Sequence, residues 1–312
     1  MRLATFLLCL LLADRLSATT VWIDTDCAIG APWREVDDGF ALILAFHSPQ
    51  LQIAGISTTY GNAGLSRTDA VTRNIVRRFG AAAGVSEASV FSGARRAGDL
   101  RGAADATEAL AHALQTQKLT YVALGPLTNL AAFLQLHPEL APRIERLIFV
   151  GGRTRGRALA FGKNGALQIH DANVVKDPTA ARTVCASKIP ITLVPPEAGA
   201  RLSLTRDDAR QLAAGGDAAQ FLQRGSRVWL WFWTAVVGER GGPLFDALAV
   251  VAAVKPGSLP IEKRYASVRR SGELIVVPEA FRGAREVNFC TTVGSDTKGS
   301  LMRGLLRDAP RG

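Results

Sequence analysis

Four carboxylates crowd two short stretches near the start of the chain. Asp24 and Asp26 close an apolar run as Asp24-Thr25-Asp26, and the pair Asp37-Asp38 opens the next helical pattern. Like charges so arranged repel one another unless a cation neutralises them. Carboxylate and carbonyl oxygens without a Cys or His cluster suit calcium or magnesium rather than zinc, and calcium is the better match outside the cytoplasm. The plain alternative for Asp37-Asp38 is helix capping, because carboxylates near a helix N-terminus satisfy free N–H groups and the dipole. Capping explains that pair, but not the two acids that end the preceding strand.

The elements that must position these residues follow from apolar, β-rich runs at Thr20 to Ile23, Gln52 to Thr58, Thr120 to Leu124, Arg146 to Val150 and Ile191 to Val194. Each is separated from the next by a stretch of helical periodicity. Strands alternating with helices predict an α/β fold with an open, mostly parallel central sheet flanked by helices. Such sheets take their ligand in the crevice beyond the carboxyl ends of the strands. Asp26, Asn62, Leu124 and Gly151-Gly152 each end or follow a strand.

Length and composition narrow the class. With 312 residues and 48% hydrophobic content the chain can bury a large core, read here as one domain over residues 19–312. Residues 2–12, RLATFLLCLLL, carry one positive charge before an unbroken apolar run, and Ser17-Ala18 offer small residues for cleavage. This predicts a signal peptide over residues 1–18 and export to the periplasm or beyond, the run being too short to span a bilayer. The formal charge is +10, yet its Lys and Arg residues are scattered in short pairs such as Arg77-Arg78 and Arg269-Arg270. Without a basic stripe interleaved with aromatics, a nucleic-acid partner is not expected, nor is stable membrane insertion. Cys27, Cys185 and Cys290 show no metal-type spacing and allow at most one disulfide.

The motifs occur in a distinctive order. DTD at Asp24–Asp26 and DD before an apolar helix are followed by TTYGN at Thr58–Asn62, VTRN at Val71–Asn74 and ALGPLTNLA at Ala123–Ala131. Then come IERLIFVGG at Ile144–Gly152, DANVVKDPTAA at Asp171–Ala181 and FDALAV at Phe245–Val250. Single matches of this kind arise by chance, but the collinear series resembles the inosine/uridine-preferring nucleoside hydrolases. The resemblance implies cleavage of the N-glycosidic bond of a ribonucleoside by a calcium-bound water attacking the anomeric carbon. It implies Asp26 as metal ligand and general base, Asp38 and Asp246 as further ligands, and the backbone carbonyl of Leu124 completing the shell. Asp37, Asn62, Asn164, Asp171 and Asn173 are implied as sugar-binding residues, and Asp24 as an outer-shell residue. It also implies a dimer or a tetramer, with no feature of the sequence selecting one.

Four departures from the family pattern stand out. Ten residues, Cys27 to Val36, separate Asp26 from Asp37 where the family usually has three, so the segment Ala31 to Glu35 either loops over the pocket or displaces a ligand. Asp171 stands where a Glu is common. Gly165 falls where a ribose-site Asn is common, leaving Asn164 as the stand-in. Phe245 precedes Asp246 in place of a His that assists departure of the base, and Phe cannot donate a proton. Stacking of the base on Trp33, Trp229, Trp231 or Trp233 is one substitute, although WLWFW reads first as a buried strand or core helix face. His170, beside Asp171, is another. Two further readings follow from these departures: a nucleoside- or ribose-binding protein that has lost hydrolysis, and a hydrolase of another N-riboside. A metal-dependent phosphohydrolase using the same carboxylates is disfavoured by the motif order.

Overall fold

The computed structural model describes residues 18–307, so the segment read as a signal peptide lies almost wholly outside the described residues. The strands in chain order are β1 (Thr19–Thr25), β2 (Leu51–Thr58), β3 (Val90–Ser92), β4 (Leu119–Ala123), β5 (Ile144–Val150), β6 (Arg153–Thr154), β7 (Leu159–Phe161) and β8 (Leu167–Ile169). They continue with β9 (Ile191–Val194), β10 (Ser203–Thr205), β11 (Gly241–Pro243), β12 (Ile261–Val268), β13 (Leu274–Val277) and β14 (Arg285–Cys290). Ten of them form one sheet in the order β3-β2-β1-β4-β5-β9-β14-β12-β13-β6. The five strands expected from the sequence all lie in this sheet, and their pairings are parallel. Within this sheet, only the pairs that β12 makes with β13 and β14 run antiparallel. The α/β, mostly parallel architecture is therefore as the sequence predicts.

Strand β1 is buried from Val21 to Thr25 because it pairs with β2 on one side and β4 on the other in the middle of the sheet. Helices cover both faces there, so its side chains bury whichever way they point. The chain leaves β1 toward β2 and returns to its other side as β4, which makes the β1/β4 boundary a topological switch point. Ligand crevices of open α/β sheets form at such points.

Two helices run against this centre. Asp37–Phe46 is buried along its whole length, and Phe245–Val254 over most of it. A helix that is apolar on all sides must lie inside the fold rather than on it. Packed together, these two helices bring their acidic first turns, Asp37-Asp38 and Asp246, to the same end of the sheet. The segment Asp217–Trp231 is helical and continues into a π-helical turn over Phe232–Val237, so WLWFW is a helix face and not a strand. Among the described residues, no helix is long and apolar enough to cross a membrane, and Cys27, Cys185 and Cys290 are free.

Candidate active site

Asp26 follows the carboxyl end of β1 and is buried. Asn62 holds it from the turn after β2: the Asn62 backbone N–H donates to Asp26 Oδ2 at 2.7 Å and the side-chain amide donates to Oδ1 at 3.2 Å. The same amide donates to Asp38 Oδ2 at 3.0 Å. Asp38 Oδ1 accepts from the Asp26 backbone N–H at 3.2 Å and from the Thr25 hydroxyl. A side chain at position 61 would strike the Asp26 carboxylate, so only glycine lets the Asn62 turn close on it.

The tightest acidic group is the trio Asp37, Asp38 and Asp246, whose carboxylate oxygens lie within 4.8 Å of one another and are buried. The Asp246 backbone N–H also donates to Asp37 Oδ2 at 3.2 Å. Asp37, which the family pattern assigns to ribose, is thus in this trio, while Asp26 stands beside it through Asp38 and Asn62. Burial is the main cause that pushes the carboxyls of Asp26, Asp37 and Asp246 well above the usual carboxylate range. Charge repulsion adds to it, chiefly from Asp38 on Asp26, from Glu35 on Asp37 and from Asp37 on Asp246. An all-oxygen donor set this compact and this short of positive charge fits a hard divalent cation.

Across the switch point, the backbone carbonyl of Leu124 follows β4. Asn173 Nδ2 donates to it at 2.6 Å and to the Val150 carbonyl at 3.0 Å, tying the ends of β4 and β5 together. Asn173 lies on the short helix Ala172–Lys176, which Asp171 caps by accepting from the Val174 N–H. Asp171 also accepts from the Gly152 N–H, and burial pushes its carboxyl up to about 6. Asp24 lies behind the floor, accepting from Ser57 Oγ and Asn129 Nδ2, both at 2.7 Å. Asn129 belongs to the ALGPLTNLA stretch and also donates to the Thr58 carbonyl.

Asn164 sits in the turn after β7. It lies between β7 and β8, exposed, with φ of 59°, and makes no side-chain hydrogen bond among the described residues. His170 is exposed too.

The insertion after Asp26 packs against the helices that follow it. Ile29 wedges between Gly39 and Gly225. Glu35 Oε2 accepts from Trp229 Nε1 at 2.8 Å, pinning the end of the loop to the helix Asp217–Trp231. Trp33 is 69% exposed at the loop tip and meets Phe232 edge-on at 6.4 Å. Trp229 and Trp233 are buried, and Trp231 faces outward. A cavity of about 470 Å³ opens beneath this rim, lined by Glu35, His170, Lys176, Phe232 and Trp233 among others.

Glu35 and Lys176 are the two residues of this region not anticipated from the sequence. Burial raises the Glu35 carboxyl, and Lys176 Nζ lies 3.6 Å from Asp26 Oδ2. Lys176 had a signal: it stands three positions after Asn173 on one helix, a spacing that puts both on the same face.

The family model for inosine-uridine preferring nucleoside hydrolases matches residues 21–298. Over 281 residues the chain is 28% identical to the probable uridine nucleosidase 2 of Arabidopsis thaliana, covering 80% of this chain and 82% of that protein. Over 302 residues it is 25% identical to the pyrimidine-specific ribonucleoside hydrolase RihA of Citrobacter koseri, covering 84% and 91%. Among solved structures it shares its fold with the plant nucleoside hydrolase PpNRh1, with a TM-score of 0.77, 22% identity and coverage of 93% and 99%. It does so as well with a purine-preferring ribonucleoside hydrolase from Gardnerella vaginalis, with a TM-score of 0.76, 21% identity and coverage of 92% and 98%. The chain belongs to the inosine-uridine preferring nucleoside hydrolase family and is an N-ribosyl hydrolase, a glycosidase.

Proposed function

We propose that this enzyme, after export to the periplasm or beyond, hydrolyses the N-glycosidic bond of a ribonucleoside to free base and ribose, with calcium held on the carboxylate floor. The observation that carries the reading is the convergence of Asp26, Asp37, Asp38 and Asp246 with Asn62 and Asn173 at the β1/β4 switch point. Asp26, Asp38, Asp246 and the Leu124 carbonyl would hold the ion. Calcium, when bound, supplies the positive charge that acidifies and orients a water.

The chain's own groups do the rest. Asp26, oriented by both N–H groups of Asn62, takes the proton of the attacking water. Asn173 spends its amide on two backbone carbonyls, which leaves its Oδ1 to accept from a ribose hydroxyl. Asp37 and Asp171 are the carboxylates available to the remaining hydroxyls. Gripping the ring fixes a reactive geometry, and the negative floor favours an oxocarbenium-like sugar as the base departs. Phe245 offers no proton to that base, so departure rests on the base itself or on a titratable group of the rim.

The named relatives include pyrimidine-specific and purine-preferring enzymes, so base preference is set by experiment. The test is ribose release from a panel of purine and pyrimidine ribonucleosides, with calcium and then with a chelator. Chelator-sensitive release is expected; folded, calcium-loaded protein that releases no ribose from any member of the panel would overturn the reading.

A further inference from the structure

Lys176 brings the only cation that pairs with a floor carboxylate among the described residues. Its backbone is fixed. The Lys176 carbonyl accepts from the Tyr60 hydroxyl at 3.1 Å. The next residue, Asp177, accepts from Thr128 Oγ1 at 2.8 Å and from the Gly98 N–H at 3.0 Å. Three residues earlier, Asn173 is tied to the carbonyls of Leu124 and Val150. The short helix therefore presents Lys176 to the floor, while the side chain itself stays 26% exposed and lines the cavity under the rim. A four-carbon stem carrying a compact charge can reach either place.

What Lys176 touches is informative. Its ammonium sits beside Oδ2 of Asp26, the carboxylate that lies outside the compact trio of Asp37, Asp38 and Asp246. A divalent ion that takes Asp26 as a ligand needs that carboxylate, and it repels a positive charge a few ångströms away. Resting on the reading that the floor holds a divalent cation, we propose that Lys176 is a resident counter-cation for Asp26. It competes with the metal, and metal loading moves its ammonium off Asp26 into the neighbouring cavity. The enzyme then stays assembled without metal and loads only above a calcium threshold that Lys176 sets.

The test is calcium titration by calorimetry of wild type, Lys176→Met and Lys176→Arg, alongside melting in chelator. Lys176→Met removes the competing charge and is expected to bind calcium roughly tenfold tighter or more, while melting at a lower temperature without metal. Lys176→Arg keeps the charge and should bind within about threefold of wild type. Equal, measurable affinities in wild type and Lys176→Met would overturn the competition and leave the metal site standing. Tightening in Lys176→Arg equal to that in Lys176→Met would overturn the role of charge. Calcium binding to none of the three proteins would overturn both this inference and the calcium reading it rests on.

Discussion

Asp37, Asp38 and Asp246 sit on the first turns of two helices buried almost throughout, and Asp26 and the Leu124 carbonyl end two central strands. Above them, Trp33 and Glu35 hang from the ten-residue insertion, and His170 follows the β7–β8 hairpin. The floor is buried, closely hydrogen-bonded and charged; the rim is loop-built, aromatic and partly exposed. A glycosidase needs the first to activate water and hold a sugar in one geometry. In the proposed reading, the second faces the base. That reading assigns chemistry and base choice to separable pieces of structure.

Substitutions should divide along that line. On the floor, Asp26→Asn keeps the shape but removes the base, so ribose release should fall by roughly 10²- to 10⁴-fold with an unchanged circular-dichroism spectrum. Rates near wild type would mean that another group takes the proton.

Asp171 tests the sugar side of the floor through pH. Burial raises its carboxyl to about 6, so the folded state favours the protonated form. Its contribution to stability is complete below about pH 4 and is lost as pH rises through about 6, amounting to at most about 3 kcal/mol. Denaturant unfolding from about pH 4 to about pH 7 should show a smaller loss in Asp171→Asn than in wild type, because the other raised carboxyls titrate in both proteins; parallel profiles would contradict it.

Gly61→Ala should cost about 1–3 kcal/mol by driving a methyl group into the Asp26 carboxylate. Catalysis should weaken with it, because Asn62 loses its grip on Asp26. A variant that melts like wild type would show that the turn relaxes freely.

The smallest effect is expected on the rim. Trp33→Ala should leave calcium affinity unchanged and alter the ratio of kcat/KM between purine and pyrimidine substrates by about tenfold or less. A drop shared equally by all substrates would merge rim and floor into one unit.

The N-terminal carboxylates of the floor were legible in the sequence because their signals are local, whereas Asp246 and the Leu124 carbonyl followed from the family resemblance alone. An acid after an apolar strand and acids opening an apolar helix each mark a position at the carboxyl edge of a parallel sheet. The rim was not, because whether a ten-residue insertion covers, displaces or folds back depends on contacts such as Ile29 with Gly225 and Glu35 with Trp229. Lys176 was missed although its spacing from Asn173 announced a shared face. The end of the sheet was also missed: β12 pairs antiparallel with β14, and its charged sequence IEKRYASV shows no apolar run. Asn164 was chosen by counting back from Asn173, and the intervening residues include the strand β8 of a hairpin.

The central claim is that the floor carboxylates hold the ion required for hydrolysis. A crystal structure of the enzyme grown with calcium tests it most directly. One ion is expected at the β1/β4 switch point, with Asp26, Asp38, Asp246 and the Leu124 carbonyl at about 2.3–2.6 Å. An empty floor in calcium-saturated crystals of an enzyme that still releases ribose in chelator would contradict the account.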